Sequence, residues 1–236
     1  MQRVSAMIPA LDTRDISHEF LDQATLDVVE LRRNLREMAM LNRLPGGVSA
    51  SAAAIEWLLD GTQSAVVLDI GTGPGDLPAR LARNAGARRL RVLASDLRPQ
   101  VLEYAARRLD RLADVELLEA DARQLPFADD SVDVAHSSLV LHHLDPADAV
   151  RALGEMRRVA RRGVVVNDLR RGRLAFLVSA LTVLGLARAR YTRHDGVLSA
   201  RRAYTLDELD ALASSAGLRR VRRSQAFLPR VVTVYR

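Results

Sequence analysis

A chain of 236 residues with 48% hydrophobic and 27% charged side chains is long enough for one α/β domain with a substantial core; its lack of cysteine excludes a disulfide framework, a thiolate zinc site and a cysteine nucleophile. The net charge of +6 comes from arginine without any lysine, and the pairs Arg32-Arg33, Arg88-Arg89, Arg107-Arg108, Arg157-Arg158 and Arg161-Arg162 are scattered over helical patterns as solvated faces, so nucleic acid is not the expected partner. No stretch reaches the roughly 18 to 20 apolar residues of a spanning helix, and the opening MQRVSAMIPALDTRD lacks the apolar core of a signal peptide, so the expected compartment is the cytoplasm.

Residues 22–44 carry helical spacing in Leu26, Val29, Leu31, Leu35, Met38 and Leu41. LPGG ends that helix, and a second resumes over 48–60. From residue 65 onward apolar runs alternate with helical patterns. Strands are expected at 65–70, 90–95, 115–119, 131–137 and 163–167, with helices at 76–84, 99–111 and 146–161 between them. This alternation predicts a parallel sheet covered by helices on both faces. Ala113-Asp114 separates the 99–111 helix from its strand, and Gly163 is expected to cap the 146–161 helix. Residues 174–187 form a nearly all-apolar run of 14 between arginine clusters, and RYTRHDGVLSARRAYTLDEL reads as a polar loop. Thr205 with Glu208 three residues on is a capping-box start for a helix over 205–216. Two closing strands fit in 218–234, with Pro229 near their turn.

The first strand runs into VVLDIGTGPGDL, an acid followed by glycines at 71, 73 and 75. Glycines between a strand and a helix N-terminus let a ligand approach bare backbone N–H donors. The spacing is neither that of a phosphate-binding Walker loop, which needs Gly-Lys-Ser/Thr, nor the G-x-G-x-x-G of dinucleotide binders. Asp69 would repel a pyrophosphate and suits a cationic group. A second acid, Asp96, ends the next strand in RVLASD, where a carboxylate can accept from ribose hydroxyls. Asp121-Ala122 follows the third strand. A cationic amino acid, a ribose and a base met in that order describe S-adenosylmethionine.

The segments VVLDIGTGPGDL, ASDLRPQVLEYAARR, DARQLPFADDSVDVAHSS and LHHLDPADAVRALGEMRRV, over roughly residues 65–168, resemble the class I S-adenosylmethionine-dependent methyltransferases. The branch most similar contains the ubiquinone and menaquinone biosynthesis methyltransferases. The resemblance implies a three-layer α/β sandwich with a seven-stranded, mostly parallel sheet whose last two strands form an antiparallel hairpin. It implies that Asp69, Gly71, Thr72, Gly73 and Gly75 meet the methionine part, Asp96 with Leu97 the ribose, and Asp121 with Ala122 the adenine. Ser137 is then the neighbour of the methionine amine. Residues 1–61 are expected as an N-terminal helical cap, with Asn34, Met38 and Asn42 on its cofactor face. Residues 62–236 form the methyltransferase domain, with a helical, substrate-side insertion at about 170–204.

Methyl transfer from a sulfonium needs a base only when the acceptor arrives protonated. His142, His143 and His194 are the catalytic candidates, with Asp168 as an orienting carboxylate. His136 lies inside a strand as a packing residue, and His18 lies in the N-terminal segment. Tyr191 and Tyr204 could bond a substrate oxygen. Phe176 and Leu181 of the apolar run could line a site for a greasy acceptor, and the arginines flanking that run could meet a membrane surface. No metal site is expected. The expected activity is O- or C-methylation of a small apolar or aromatic acceptor by a monomer or homodimer. The rival expectations are an RNA or protein methyltransferase and a non-catalytic cofactor-binding protein.

Overall fold

The computed structural model describes residues 11–22, 27–44, 47–227 and 229–236, with 225–227 as backbone alone. Seven strands form one sheet: β1 (Ser64–Ile70), β2 (Arg89–Asp96), β3 (Val115–Glu119), β4 (Val132–Ser138), β5 (Ala160–Leu169), β6 (Arg220–Phe227) and β7 (Arg230–Tyr235). Their order across the sheet is β3-β2-β1-β4-β5-β7-β6, parallel throughout except that β7 runs antiparallel to both β5 and β6. The helices are α1 (Val28–Leu41), α2 (Val48–Leu58), α3 (Asp76–Asn84), α4 (Pro99–Leu109), α5 (Pro146–Val159), α6 (Arg173–Leu186), α7 (Arg190–Arg202) and α8 (Leu206–Ser215), with single 3-10 turns at Phe20–Asp22 and Leu141–His143.

The central strands are near-continuous apolar runs because both faces of a parallel sheet are covered. Alternate residues divide between two cores. Leu68, Ala135, Val164 and Val166 face Leu153, Met156 and Leu209 of α5 and α8. Val67, Val134, Val165 and Val232 face Ile55, Leu58, Leu77 and Leu81 of α2 and α3. Helix α2, expected within the cap, is therefore a layer of the sandwich. Helix α1 packs through Leu31 and Leu35 onto Val101 of α4. The part of the expected first helix at 23–26, and Pro45-Gly46 of the turn after it, lie outside the described residues.

Two expectations need correction. Gly163 does not cap a helix: α5 stops at Val159, the chain passes directly into β5, and Gly163 pairs there with Val134. The polar loop expected after the apolar run is mostly helix, α7. Thr192, Asp195, Ser199 and Arg202 recur at helical spacing on its buried face. A helix whose inner face is polar hides from hydrophobic patterning, which looks for an apolar stripe. The apolar run itself is α6. It buries Ala175, Phe176, Ser179 and Val183 and leaves Leu174, Leu181, Leu184 and Leu186 exposed. Among the described residues no helix is long and apolar enough to cross a membrane.

Candidate active site

The carboxyl ends of β1, β2, β4 and β5 converge on the glycine loop, the crevice where open α/β sheets place their ligands. Gly71 and Gly73 stand at φ 67° and 53°, in the left-handed region that disfavours a side chain. A Cβ on Gly71 would lie 2.4 Å from Cγ2 of Val140, whereas one on Gly73 would meet nothing closer than Cε of Met38 at 3.9 Å. The loop is thus closed behind Gly71 and open at Gly73.

Asp69 is buried, and both of its carboxylate oxygens are engaged: Thr72 Oγ1 donates to Oδ2 at 2.8 Å, and Nδ1 of His136 lies 2.7 Å from Oδ1. The far nitrogen of His136 meets Ser51 Oγ at 2.9 Å, and Asn167 Nδ2 donates to the same hydroxyl at 2.8 Å. A buried chain therefore ties β1, β4 and β5 to α2. Asp96 accepts from the backbone N–H of Gly73 and of Arg98, each at 3.1 Å. Burial pushes its carboxyl above the usual range, against those two amides. Asp121 is pulled below that range by Arg123, which grips it from the side and also reaches Asp148. Ser137 is buried, and its hydroxyl has no hydrogen-bond partner among the described residues.

Next to this cradle lies a mostly apolar cavity of about 150 Å³. Met38, Asn42 and Leu139 line both spaces. Leu139 is a non-glycine residue at φ 58°, held there as its N–H donates to the carbonyl of Asn167 at 2.9 Å. Asn42 straps α1 down: its Nδ2 donates to Asp76 at 3.2 Å, and its Oδ1 accepts from Arg230 at 2.9 Å. The side of the cavity away from the loop carries Glu19, His142 and His143.

Residues 67–163 match the methyltransferase domain family. That stretch, under half of the chain, is thus similar to a methyltransferase domain. Over 100 residues, 42% of the chain, it is 41% identical to a malonyl-(acyl-carrier protein) O-methyltransferase of Pectobacterium atrosepticum, covering 36% of that protein. Over 95 residues, 39% of the chain, it is 39% identical to a demethylmenaquinone methyltransferase of Thermus thermophilus, covering 41% of that one. The chain thus spans well under half the length of these curated relatives. A solved S-adenosylmethionine-dependent methyltransferase of Aquifex aeolicus superposes with a TM-score of 0.60 at 18% identity, over 89% of this chain and 98% of the other, which shows the shared fold.

Around the cavity the expected catalytic residues separate. His142 and His143 share the cavity wall, their rings 4.3 Å apart. Asp168, at the end of β5, takes Nδ1 of His142 at 2.7 Å; burial opposes its ionisation, but the His142 ring together with the Leu169 N–H and His143 holds the carboxyl below the usual range. Nδ1 of His143 lies 2.8 Å from Asp22, which also binds Arg202. Burial works against ionisation of Asp22 too, yet His143 and Arg202 hold it far below the ordinary value. His194 is half-exposed beside Asp195, stacks near Phe20, and does not line the cavity.

Four expected acceptor contacts also fall outside the cavity lining. Tyr204 spends its hydroxyl on the carbonyl of Leu144 and its ring on Arg14. Tyr191 stacks on Phe20, and its hydroxyl accepts from the N–H of Asp27. Phe176 is buried in packing, and Leu181 is 64% exposed. The face of α6 that lines the cavity instead carries Ser179, Thr182 and Val183. Of the trio expected on the cofactor face, Met38 of α1 and Asn42 just past its end line both spaces, whereas Asn34 lines this cavity and not the glycine-loop cradle.

Sequence reading missed Glu19 and Arg230. The Glu19 side chain is 2% exposed, and burial pushes its carboxyl up to about 7. It stands more than a hundred residues from the histidines, so no local pattern marks it. Arg230 follows Pro229 in the closing hairpin and reaches Asn42, Asn167 and Ser138 across the mouth of the cavity.

Proposed function

We propose that this protein transfers the methyl group of S-adenosylmethionine to an oxygen or carbon of a small, largely apolar acceptor of phenolic or quinone type. The observation that carries the reading is the wall of Met38, Asn42 and Leu139, shared by the glycine-loop cradle and the apolar cavity with its histidine side. The likeness to a demethylmenaquinone methyltransferase and to an O-methyltransferase supports the same class. The residues present fit the cofactor: an open backbone at Gly73, a carboxylate at the end of β2, and an orphaned hydroxyl on Ser137. Gly71, Thr72, Gly73 and Gly75 would hold its amino-acid end, Asp96 and Leu97 its ribose, and Asp121 and Ala122 its base. Asp69, with both oxygens engaged, is read as the strut that fixes Thr72 and His136.

When bound, the cofactor supplies a methyl group already activated on a sulfonium, so the protein's task is chiefly placement. Helix α1 closes over the cradle, and α6 with α7, within 170–204, forms the acceptor side. An acceptor hydroxyl or enolisable carbon must also lose a proton. The groups facing the cavity for that are His142, fixed by Asp168, and His143 beside it.

The test is methyl transfer from labelled S-adenosylmethionine to 4-alkylphenols and alkylhydroquinones of increasing tail length. Each buried methylene adds about 0.8 kcal/mol, so apparent affinity should rise about fourfold per carbon until the cavity is filled. Failure to bind S-adenosylhomocysteine in calorimetry would remove the cofactor assignment. Cofactor binding with transfer only to RNA or protein would remove the acceptor assignment.

A further inference from the structure

Glu19, His142 and His143 come from two distant segments and meet at one wall of the cavity. One ligand-type atom from each lies within 4.8 Å of the other two. The two Nδ1 atoms are occupied by Asp168 and Asp22. With those bonds made by Nδ1–H, each Nε2 presents a lone pair. Nε2 of His142 faces Oε1 of Glu19 at 3.8 Å, and Nε2 of His143 faces Oε2 at 3.7 Å. Both distances are too long for hydrogen bonds. Two ring lone pairs and a carboxylate thus point at one another in a site where Glu19 is only 2% exposed, an arrangement that calls for a cation between them.

We propose that Glu19, His142 and His143 bind one divalent transition-metal ion, of the zinc, cobalt or iron(II) kind, whose open positions face the cavity. Ligand atoms about 2.0 to 2.2 Å from a shared ion stand about 3 to 3.5 Å apart, so the two glutamate–histidine distances must shorten by about half an ångström and the widest gap in the set, at most 4.8 Å, by up to about 1 to 2 Å. Two imidazoles and a carboxylate are the donors such ions take. Each ligand already has a supporting partner: Asp168 behind His142, Asp22 behind His143, and the Ser199 hydroxyl donating to Glu19 at 2.9 Å. Arg202 reaches Asp22, stands 3.8 Å from Glu19, and offsets part of the surrounding negative charge. The role of the ion rests on the reading of the cavity as the acceptor pocket: with the two imidazoles serving as its ligands when it is bound, it would fix the acceptor's oxygen and acidify it, so that the proton leaves to solvent and not to His142 or His143.

The test uses the full chain without a polyhistidine tag, stripped with a chelator and titrated with Co²⁺. One equivalent should bind and give visible d–d absorption. Glu19→Gln, His142→Ala and His143→Ala should each weaken binding at least about 100-fold. Asp168→Asn should weaken it about 10- to 100-fold, and His18→Ala should leave it unchanged. Calorimetric binding of S-adenosylhomocysteine by every variant serves as the check on folding. Absence of d–d bands at millimolar Co²⁺, or bands that persist in the His142→Ala/His143→Ala double variant, would overturn the metal site. Methyl transfer by chelated, metal-free protein would overturn it as well while leaving the methyltransferase reading intact.

Discussion

Asp168 holds His142 twice, through the ring nitrogen at 2.7 Å and through the backbone N–H at 3.3 Å. The end of β5 thereby fixes both the place and the tautomer of a side chain that follows β4. Asp168→Asn keeps the shape but loses the charge. It should lower kcat for the alkylphenol series about 10- to 100-fold while leaving S-adenosylhomocysteine affinity within about twofold. Loss of both together would mean that Asp168 supports the fold and does not position the histidine.

On the proposed reading Asp96 bears on the cofactor alone. Charge-assisted hydrogen bonds contribute roughly 1.5 to 3 kcal/mol each, so Asp96→Ala should weaken S-adenosylhomocysteine binding about 10²- to 10⁴-fold. Burial raises this carboxyl, so it takes up its proton at a higher pH than an ordinary aspartate. A protonated carboxyl is the poorer acceptor. Affinity should therefore fall on acidification at a pH above that at which ordinary aspartates titrate. Calorimetry from pH 8 to 5 checks this, with Asp96→Asn giving a weak and flat profile.

The glycine loop predicts a dissociation between stability and binding. Gly71→Ala places a methyl group against Val140 in left-handed backbone and should cost about 1 to 3 kcal/mol, seen as a lowered Tm. Gly73→Ala meets open space and should cost only the left-handed penalty of about 1 to 2 kcal/mol. It should nevertheless weaken S-adenosylhomocysteine binding more than its Tm change explains. Equal effects of the two substitutions on both measurements would count against the cradle.

On α6 the two faces should answer differently. Leu181→Ala removes an exposed side chain and should change stability by less than about 0.5 kcal/mol, with no effect on the acceptor series. Val183→Ala enlarges the cavity wall and should shift the preferred tail length of the acceptor upward. Turnover across the series for both variants decides the matter.

The sheet was legible because the central strands centre on short apolar runs bounded by turn residues, and the observed ends of the first five fall within three residues of the expected ones. The glycine loop and the acids at the strand ends were legible as sequence features because glycine and aspartate carry their chemistry locally. The lining of the apolar cavity was not. Helix α7 shows its polar face inward, so Thr192, Asp195 and Ser199 read as surface. Glu19 joins His142 only through tertiary structure. The apolar run was identified as a helix, but hydropathy could not tell its cavity face, Ser179 and Val183, from its exposed one, Leu181 and Leu184.

The wall formed by Met38, Asn42 and Leu139 makes the two spaces, on the proposed reading those of donor and acceptor, adjoining rooms with one partition. Two of its three residues belong to α1 or its end, fastened by Asn42 to Asp76 on one side and to Arg230 on the other. Whatever seats α1 for one ligand thereby shapes the room for the other. Thermodynamic linkage then makes the coupling mutual: the factor by which the donor tightens acceptor binding is the factor by which the acceptor tightens the donor. Loosening the Asn42 strap should erase that factor before it erases either affinity.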